Sequence, residues 1–400
     1  MKLSQFLLFP LNVLFIMLFG LVLALFKFSD FYEIPDSWNI VIYIMSLTPL
    51  MIYYQFYIRR KNFYIAIDEN IKLSKLYKLL LTLSVGFFSL SFFKVGIPIF
   101  SPSGRDIDTI LIDDKFASIC NILAYSLMIA AVTFAATFSS KKSILLCFCL
   151  SVLFSILLLS RQLAMVSFVI VLITYFCKNT LNISKVIYIL SFMVFIGFFF
   201  SFLGNYRQQI HGDYVADYAH LIGNSTREGF ILNDTLYWLW LYIASPIYNL
   251  FYNLDVFKYV NSPCFNVDFE CVGSFLSSEV LPLTISKALN LTLIEEKLVV
   301  GHLNVSTAYA KAVVIFGSYG IFLHVILQII FFQFINLFCH PSMKFVLRIY
   351  YSAIIFFSIF SNLFIAPHFF FVMIIILIVG WLNSGRINNL RRNKESRLVK

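Results

Sequence analysis

The sequence has little charge. Asp, Glu, Lys and Arg make up 12% of its 400 residues, and the acids number only 20. A soluble fold of this length cannot cover its surface with so few ions, and a disordered chain needs more charge and less apolar surface. Fifteen glycines and ten prolines are too few for a collagen-like fibre. Seven cysteines are too sparse for a disulfide-stapled secreted scaffold. No P-loop, GxSxG, HExxH or Rossmann fingerprint occurs, so nothing supports an ATPase, a serine hydrolase or a zinc protease. No spacing of metal ligands stands out, and neither a metal nor a cofactor is expected. The formal net charge of +10 could suggest nucleic acid. Its distribution along the chain points to membrane topology instead, and no nucleic-acid partner is expected.

What the chain has in abundance is apolar surface: 60% hydrophobic residues, 47 Phe, 22 Tyr and a mean hydropathy of +0.87. Uninterrupted apolar runs of roughly 15–25 residues are the mark of helices crossing a hydrocarbon core. Ten can be marked, at 6–26, 40–56, 76–93, 116–138, 144–159, 163–177, 186–203, 312–338, 349–365 and 369–382. The pairs 144–177 and 349–382 are nearly fused and predict tight helical hairpins. The runs are continuous rather than alternating, which excludes a transmembrane β-barrel. The first has no small-residue cleavage pattern and is expected to stay as a span. The expected fold is an all-α polytopic integral membrane protein of about 10–12 transmembrane helices, read as a single membrane domain over 1–400.

Orientation follows from the basic residues. With the N-terminus cytoplasmic, 19 of the 30 Lys and Arg fall inside, while 17 of the 20 acids fall outside. The positive-inside rule therefore places both termini in the cytoplasm. This topology leaves one large outer loop, 204–311, of 108 residues, and loops of that length are usually functional. Within it, 236–254 reads LYWLWLYIASPIYNLFYNL, aromatic and uncharged. Were that run a span, the basic tail would lie outside. An interfacial or re-entrant helix anchored by Trp238 and Trp240 fits better. Cys264 and Cys271 share the loop, where an oxidising compartment would pair them if geometry allows; free thiols are the alternative.

Arginine at the outer face is unexpected in such a chain. Arg161 sits at the turn of the first hairpin, Arg207 opens the large loop, Arg227 follows in GNSTREGF, and Arg105 lies in IPIFSPSGRD. Guanidinium groups match phosphate oxygens in pairs, so this set points to a diphosphate at the membrane boundary; snorkelling is the bland reading of each one. Among the histidines, His302 in VVGHLNVSTAYAKA is the candidate for proton transfer, ahead of Asn304, Ser306, Thr307 and Tyr309 at a membrane entrance. Those hydroxyls could equally cap the next helix. His324 lies mid-span and His368 in the last outer turn. Asp113–Asp114 suits either an acidic pair or the start of the helix at 116.

Several patches resemble the oligosaccharide repeat unit polymerases, the Wzy-type O-antigen polymerases. SRQLAMVSFVIVLITYF is similar to their SR-containing hairpin, and NVSTAYAKAVVIFGSYG to the segment entering a late span. YIASPIYNLFYNLD resembles the aromatic helix of their large periplasmic loop, and GIPIFSPSGR an earlier loop. The patches span residues 95–325 in the family's order. The resemblance implies a GT-C-like glycosyltransferase in the bacterial inner membrane, active in lipopolysaccharide biosynthesis. Such an enzyme transfers a growing glycan from undecaprenyl diphosphate to the next lipid-linked repeat unit on the periplasmic face. It further implies a flippase and a chain-length regulator as membrane partners. In this reading Arg161, Arg207, Arg227 and Arg105 hold the diphosphate and His302 serves as base. Tyr206, Tyr242, Tyr248, Asn304, Thr307 and Tyr309 meet sugar. The related O-antigen ligases carry an adjacent His–Asn pair; here Leu303 intervenes. A ligase is the nearer alternative, and a flippase or transporter the more distant one.

Compartment-specific reporters fused after residues 70, 108, 230, 290 and 345 test the topology. Outside signals are expected at 108, 230 and 290, inside signals at 70 and 345. A cytoplasmic signal at 290 would turn 236–254 into a span and overturn the charge argument.

Overall fold

The computed structural model describes residues 7–58, 73–100, 114–179, 197–198, 201, 215, 217–257, 269–303 and 305–398. Among them the chain is all-helical, with no strand. In chain order the α-helices are α1 Leu11–Ala24, α2 Ser37–Ser46, α3 Thr48–Tyr53, α4 Leu76–Val95, α5 Lys115–Phe138, α6 Lys141–Leu157 and α7 Arg161–Lys178. There follow α8 Tyr218–Ile222, α9 Asp234–Phe257, α10 Phe269–Phe275, α11 Leu283–Ala288, α12 Ala310–Phe316, α13 Gly320–Phe338, α14 Lys344–Phe356 and α15 Pro367–Leu398. Among the described residues, six helical stretches are long and apolar enough to cross a membrane: Ser37–Phe56, Leu73–Phe100, Lys115–Phe138, Arg161–Lys178, Ala310–Phe338 and Pro341–Ile359. The protein is thus a multi-pass membrane protein. The remaining expected spans fare differently. The first is a helix of 14 residues, and the last has an apolar part at Pro367–Asn383. Run 144–159 is a 17-residue helix that begins with two lysines. Run 186–203 lies outside the described residues but for 197, 198 and 201.

The chain divides into two compact units. Unit one comprises 1–60, 176–328 and 354–366; unit two comprises 61–175, 329–353 and 367–400.

Unit two is built around α5. Asp114 starts that helix, its Oδ1 accepting from the N–H groups of Phe116 and Ala117, each at 3.0 Å. Of the two readings of Asp113–Asp114, helix initiation is the one observed for Asp114; Asp113 lies outside the described residues. The best 18-residue window of α5 is 72% buried, against 28% for the stretch holding α4. Ala124, Ala130, Ala131, Ala135 and Ala136 explain why: small side chains let neighbouring helices approach closely. α4 packs along it, with Ser84 donating to the Ala124 carbonyl at 2.7 Å. α4 ends at Gly96, whose φ of 87° favours glycine. Over 144–177, α6 and α7 are joined by Leu158–Ser160 alone, and the Ala164 N–H donates to the Ser155 hydroxyl at 2.8 Å. Over 349–382 the chain instead leaves the helix at Ile359 and resumes at Pro367. Proline disfavours helix at the residue before it, so the entry to α15 is fixed there.

Unit one packs α9 against α1, α2, α8 and α12. The expected span 312–338 is helical but interrupted. Gly317, with φ 58°, ends α12, a 3-10 turn Gly317–Tyr319 follows, and α13 restarts at Gly320. A Cβ at Gly320 would strike the backbone of Ala312 and Val313. Gly320→Ala should therefore lower the thermal midpoint in detergent sharply or abolish recovery of folded protein. Gly86→Ala, where a Cβ meets nothing within 4 Å, should stay within about 1 kcal/mol of the unsubstituted chain. Equal midpoints for the two would refute the packing described for Gly320.

Candidate functional site

The aromatic helix expected at 236–254 is α9. Its indoles are not presented outward: Trp238 and Trp240 are 3% and 5% exposed, and the Trp240 N–H donates to the Leu23 carbonyl at 2.9 Å. Tyr248 donates to the carbonyls of Ala24 and Phe26 and stacks on Tyr32, with centroids 4.4 Å apart. Burial pushes the Tyr32 hydroxyl above its ordinary pKa range, keeping it a neutral phenol. These contacts anchor the connection after α1 to α9 and the residues before it. Ser29 and Ser225 form an antiparallel bridge, flanked by Asp30 N–H to Asn224 and Thr226 N–H to Phe28. Arg227 follows directly, with its side chain exposed.

A second set of contacts holds the segment leading to α12. Asn249 and Asn253 lie one turn apart on α9 and are fully buried. The Asn249 amide donates to the carbonyls of Val305 (2.7 Å) and Leu303 (3.3 Å), and its Oδ1 accepts from Val299 N–H at 3.0 Å. Asn253 donates to the Lys297 carbonyl at 2.7 Å and accepts from the Lys297 N–H at 2.9 Å. Side-chain amides thus do for this segment what a neighbouring strand would do, giving the backbone of Lys297, Val299, Leu303 and Val305 partners.

His302 rides on this pinned segment. Its Nε2 lies 2.8 Å from the Ile222 carbonyl, and its ring sits edge-on to Phe31 at 6.0 Å. A carbonyl can only accept, so Nε2 carries the hydrogen and Nδ1 is left as the basic nitrogen of an exposed imidazole. Thr307 and Tyr309 turn inward instead. The Thr307 Oγ1 accepts from Tyr309 N–H at 3.3 Å, which serves the start of α12, and Tyr309 is fully buried. Tyr242 is half-buried, 5.7 Å from the Phe360 ring. Arg161 is half-buried at the start of α7, in unit two. Arg105, Arg207, Tyr206, Asn304 and Cys264 lie outside the described residues. Cys271 is disulfide-bonded, while Cys120, Cys147, Cys149, Cys177 and Cys339 are free thiols.

The mid-span His324 has a partner that the sequence did not suggest. Glu279 and His324, 2% and 0% exposed, meet inside unit one with Oε2 3.0 Å from Nδ1. Asn362 donates to the same carboxylate oxygen at 2.8 Å. Both ionisable residues stand alone in apolar or small-residue stretches, SFLSSEVLPL and GIFLHVILQII, and that isolation was the readable signal. No group of three metal-binding side chains occurs among the described residues.

Comparison with known proteins adds no relative: no family model, no curated protein and no solved structure matches the chain.

Asn249→Ala removes three part-buried hydrogen bonds to backbone. At about 0.5–1.5 kcal/mol each it should cost roughly 2–4 kcal/mol. Limited proteolysis should then cut within 297–305 at protease levels that spare the unsubstituted protein. Unchanged resistance would show that the amide contacts do not hold the segment.

Proposed function

We propose that this protein is a membrane glycosyltransferase of the O-antigen polymerase type, working at the outer face of the bacterial inner membrane. One observation carries the reading. Two separate stretches that resemble the polymerases, YIASPIYNLFYNLD on α9 and the NVSTA segment before α12, are tied together by Asn249. They present between them a histidine with its tautomer set. The outward arginines and the single large loop of the expected topology support the same class.

The chemistry needs few groups. The terminal hydroxyl of the acceptor repeat unit attacks the anomeric carbon of the donor glycan. The bond from that carbon to the diphosphate oxygen breaks, and undecaprenyl diphosphate leaves. His302 Nδ1 takes the hydroxyl proton. Guanidinium groups balance charge on the leaving diphosphate, with Arg227 the described one in the same unit as His302. The diphosphate linkage supplies the driving force, so no nucleotide is needed outside the cell. Its partners in this reading are a flippase that delivers repeat units and a chain-length regulator.

A transporter of lipid-linked glycan is the second reading, and the Glu279–His324 contact favours it, because ionisable residues inside membrane proteins often mark ion pathways. A deletion strain separates the two. A polymerase deletion should leave lipopolysaccharide capped with a single repeat unit, seen as one band above core on a gel. Loss of a transporter leaves uncapped core with units trapped inside; loss of a ligase leaves uncapped core with long glycan still on undecaprenyl diphosphate. A normal ladder in a strain without a redundant enzyme would overturn the polymerase reading.

At the residue level, His302→Ala should lower turnover by about 100-fold or more at normal abundance, the usual worth of a general base. Arg227→Lys should also impair it, since lysine keeps the charge but loses the paired donors. Full activity of both variants would remove these residues from the mechanism.

A further inference from the structure

The contact between Glu279 and His324 joins a loop segment to a membrane helix. Glu279 belongs to a π-helical turn, Leu276–Val280, that follows α10. From there the chain passes through Pro282 into α11, and the Leu283 N–H donates to the Ile365 carbonyl at 2.9 Å. His324 lies one turn into α13. The carboxylate is held on one side only. Its Oε2 receives Asn362 at 2.8 Å and lies 3.0 Å from His324 Nδ1, while Oε1 is buried with no hydrogen-bond partner. The imidazole is off the line of a hydrogen bond to the carboxylate, and Nε2 likewise has no partner. The two groups thus approach closely without an aligned hydrogen bond between them.

The surroundings supply no substitute for either charge. Tyr309 on α12 sets its ring edge-on to His324, with centroids 5.0 Å apart, and directs its hydroxyl to Gln328 Oε1 at 3.3 Å. Lys311 on the same helix is occupied by Glu296 at 4.0 Å, both about a quarter exposed. Lys287 on α11 is exposed, and Asn362 is neutral. A buried pair is tolerated when its charges cancel, whereas one buried charge left over is strongly unfavourable. With one proton between them the two side chains sum to zero. With two, a lone imidazolium remains.

We propose that Glu279 and His324 form a proton-binding site within the membrane-embedded part of unit one. Carrying one proton, it clasps the turn 276–283 onto α13; taking up a second, it lets that turn go. The second proton adds to Glu279, with the unpartnered Oε1 as the open position. No other bond forms or breaks, and the pair passes from net zero to net +1. The site needs no particular substrate, so this inference stands independently of the glycosyltransferase reading.

The test uses the full chain in phosphatidylcholine nanodiscs and follows deuterium uptake of peptides covering 276–291 from neutral to mildly acidic pH. Each rate is divided by that of an unstructured reference peptide, which removes the intrinsic pH dependence. The relative rate should rise by at least about tenfold on acidification. E279Q, fixed in the neutral form, should exchange fast already at neutral pH. The E279Q/H324Q double variant should show no pH step. A flat profile for the unsubstituted chain, or an unchanged step in the double variant, would overturn the proposal. Should neither variant fold, infrared difference spectra of the unsubstituted protein decide. A buried carboxylic-acid band must grow over the same pH interval as the exchange, and its absence counts against the site.

Discussion

Backbone groups outside helices need partners from elsewhere, and the way unit one meets that demand fixes the segment that carries His302. Helices satisfy their own backbone; the stretch between α11 and α12 is not helical, so most of its backbone groups need other partners. Asn249 and Asn253 solve the problem from outside the stretch, reading its N–H and C=O groups with neutral amides. Aspartate at either position would lose the donor, and alanine would leave bare carbonyls. Once the amides fix 297–305, the position of His302, the entry of α12 and the burial of Tyr309 follow.

The arrangement also separates two kinds of polar chemistry. At the pinned segment the histidine is exposed and uncharged groups hold it in place, leaving one nitrogen basic. Thirty residues or less to either side, a second histidine and a glutamate are sealed from solvent. The first site suits exchange with a substrate. The second suits a mechanical task, because its strength depends on charge and its partners come from different stretches of chain.

Much of the helical framework was legible in the sequence. Long apolar runs bounded by charge located α4, α5, α7 and α13, and the acidic residue before 116 marked the start of α5. The short connection between α6 and α7 was visible from the gap at Arg161. Other features were not. Asn249 and Asn253 look like ordinary polar residues on an aromatic helix, because their partners are backbone atoms some 50 residues away and carry no side-chain signal. Trp238 and Trp240 suggested a headgroup anchor; composition alone does not distinguish an indole facing lipid from one packed on a neighbouring helix. Nor did the second hairpin's break at 360–366 show, since those residues are as apolar as the helices they separate. His324 was visible as a lone ionisable residue mid-span, Glu279 was not, and nothing local pairs residues 45 positions apart.

The discontinuity of unit one has a consequence for biosynthesis. Ser29 waits for Gly223, Asn39 for Asp255 and Ala24 for Tyr248, separations of 194, 216 and 224 residues. All of 61–175 is made in between. At about 5–20 residues per second a ribosome needs roughly 10–40 s to span such an interval. The earliest helices must therefore wait for that time with the Ser29 hydroxyl, the Asn39 amide and the Ala24 carbonyl unclaimed. A translation pause or a membrane chaperone acting in that window would govern yield, and a truncated product ending before α9 would retain those helices without the element that completes them.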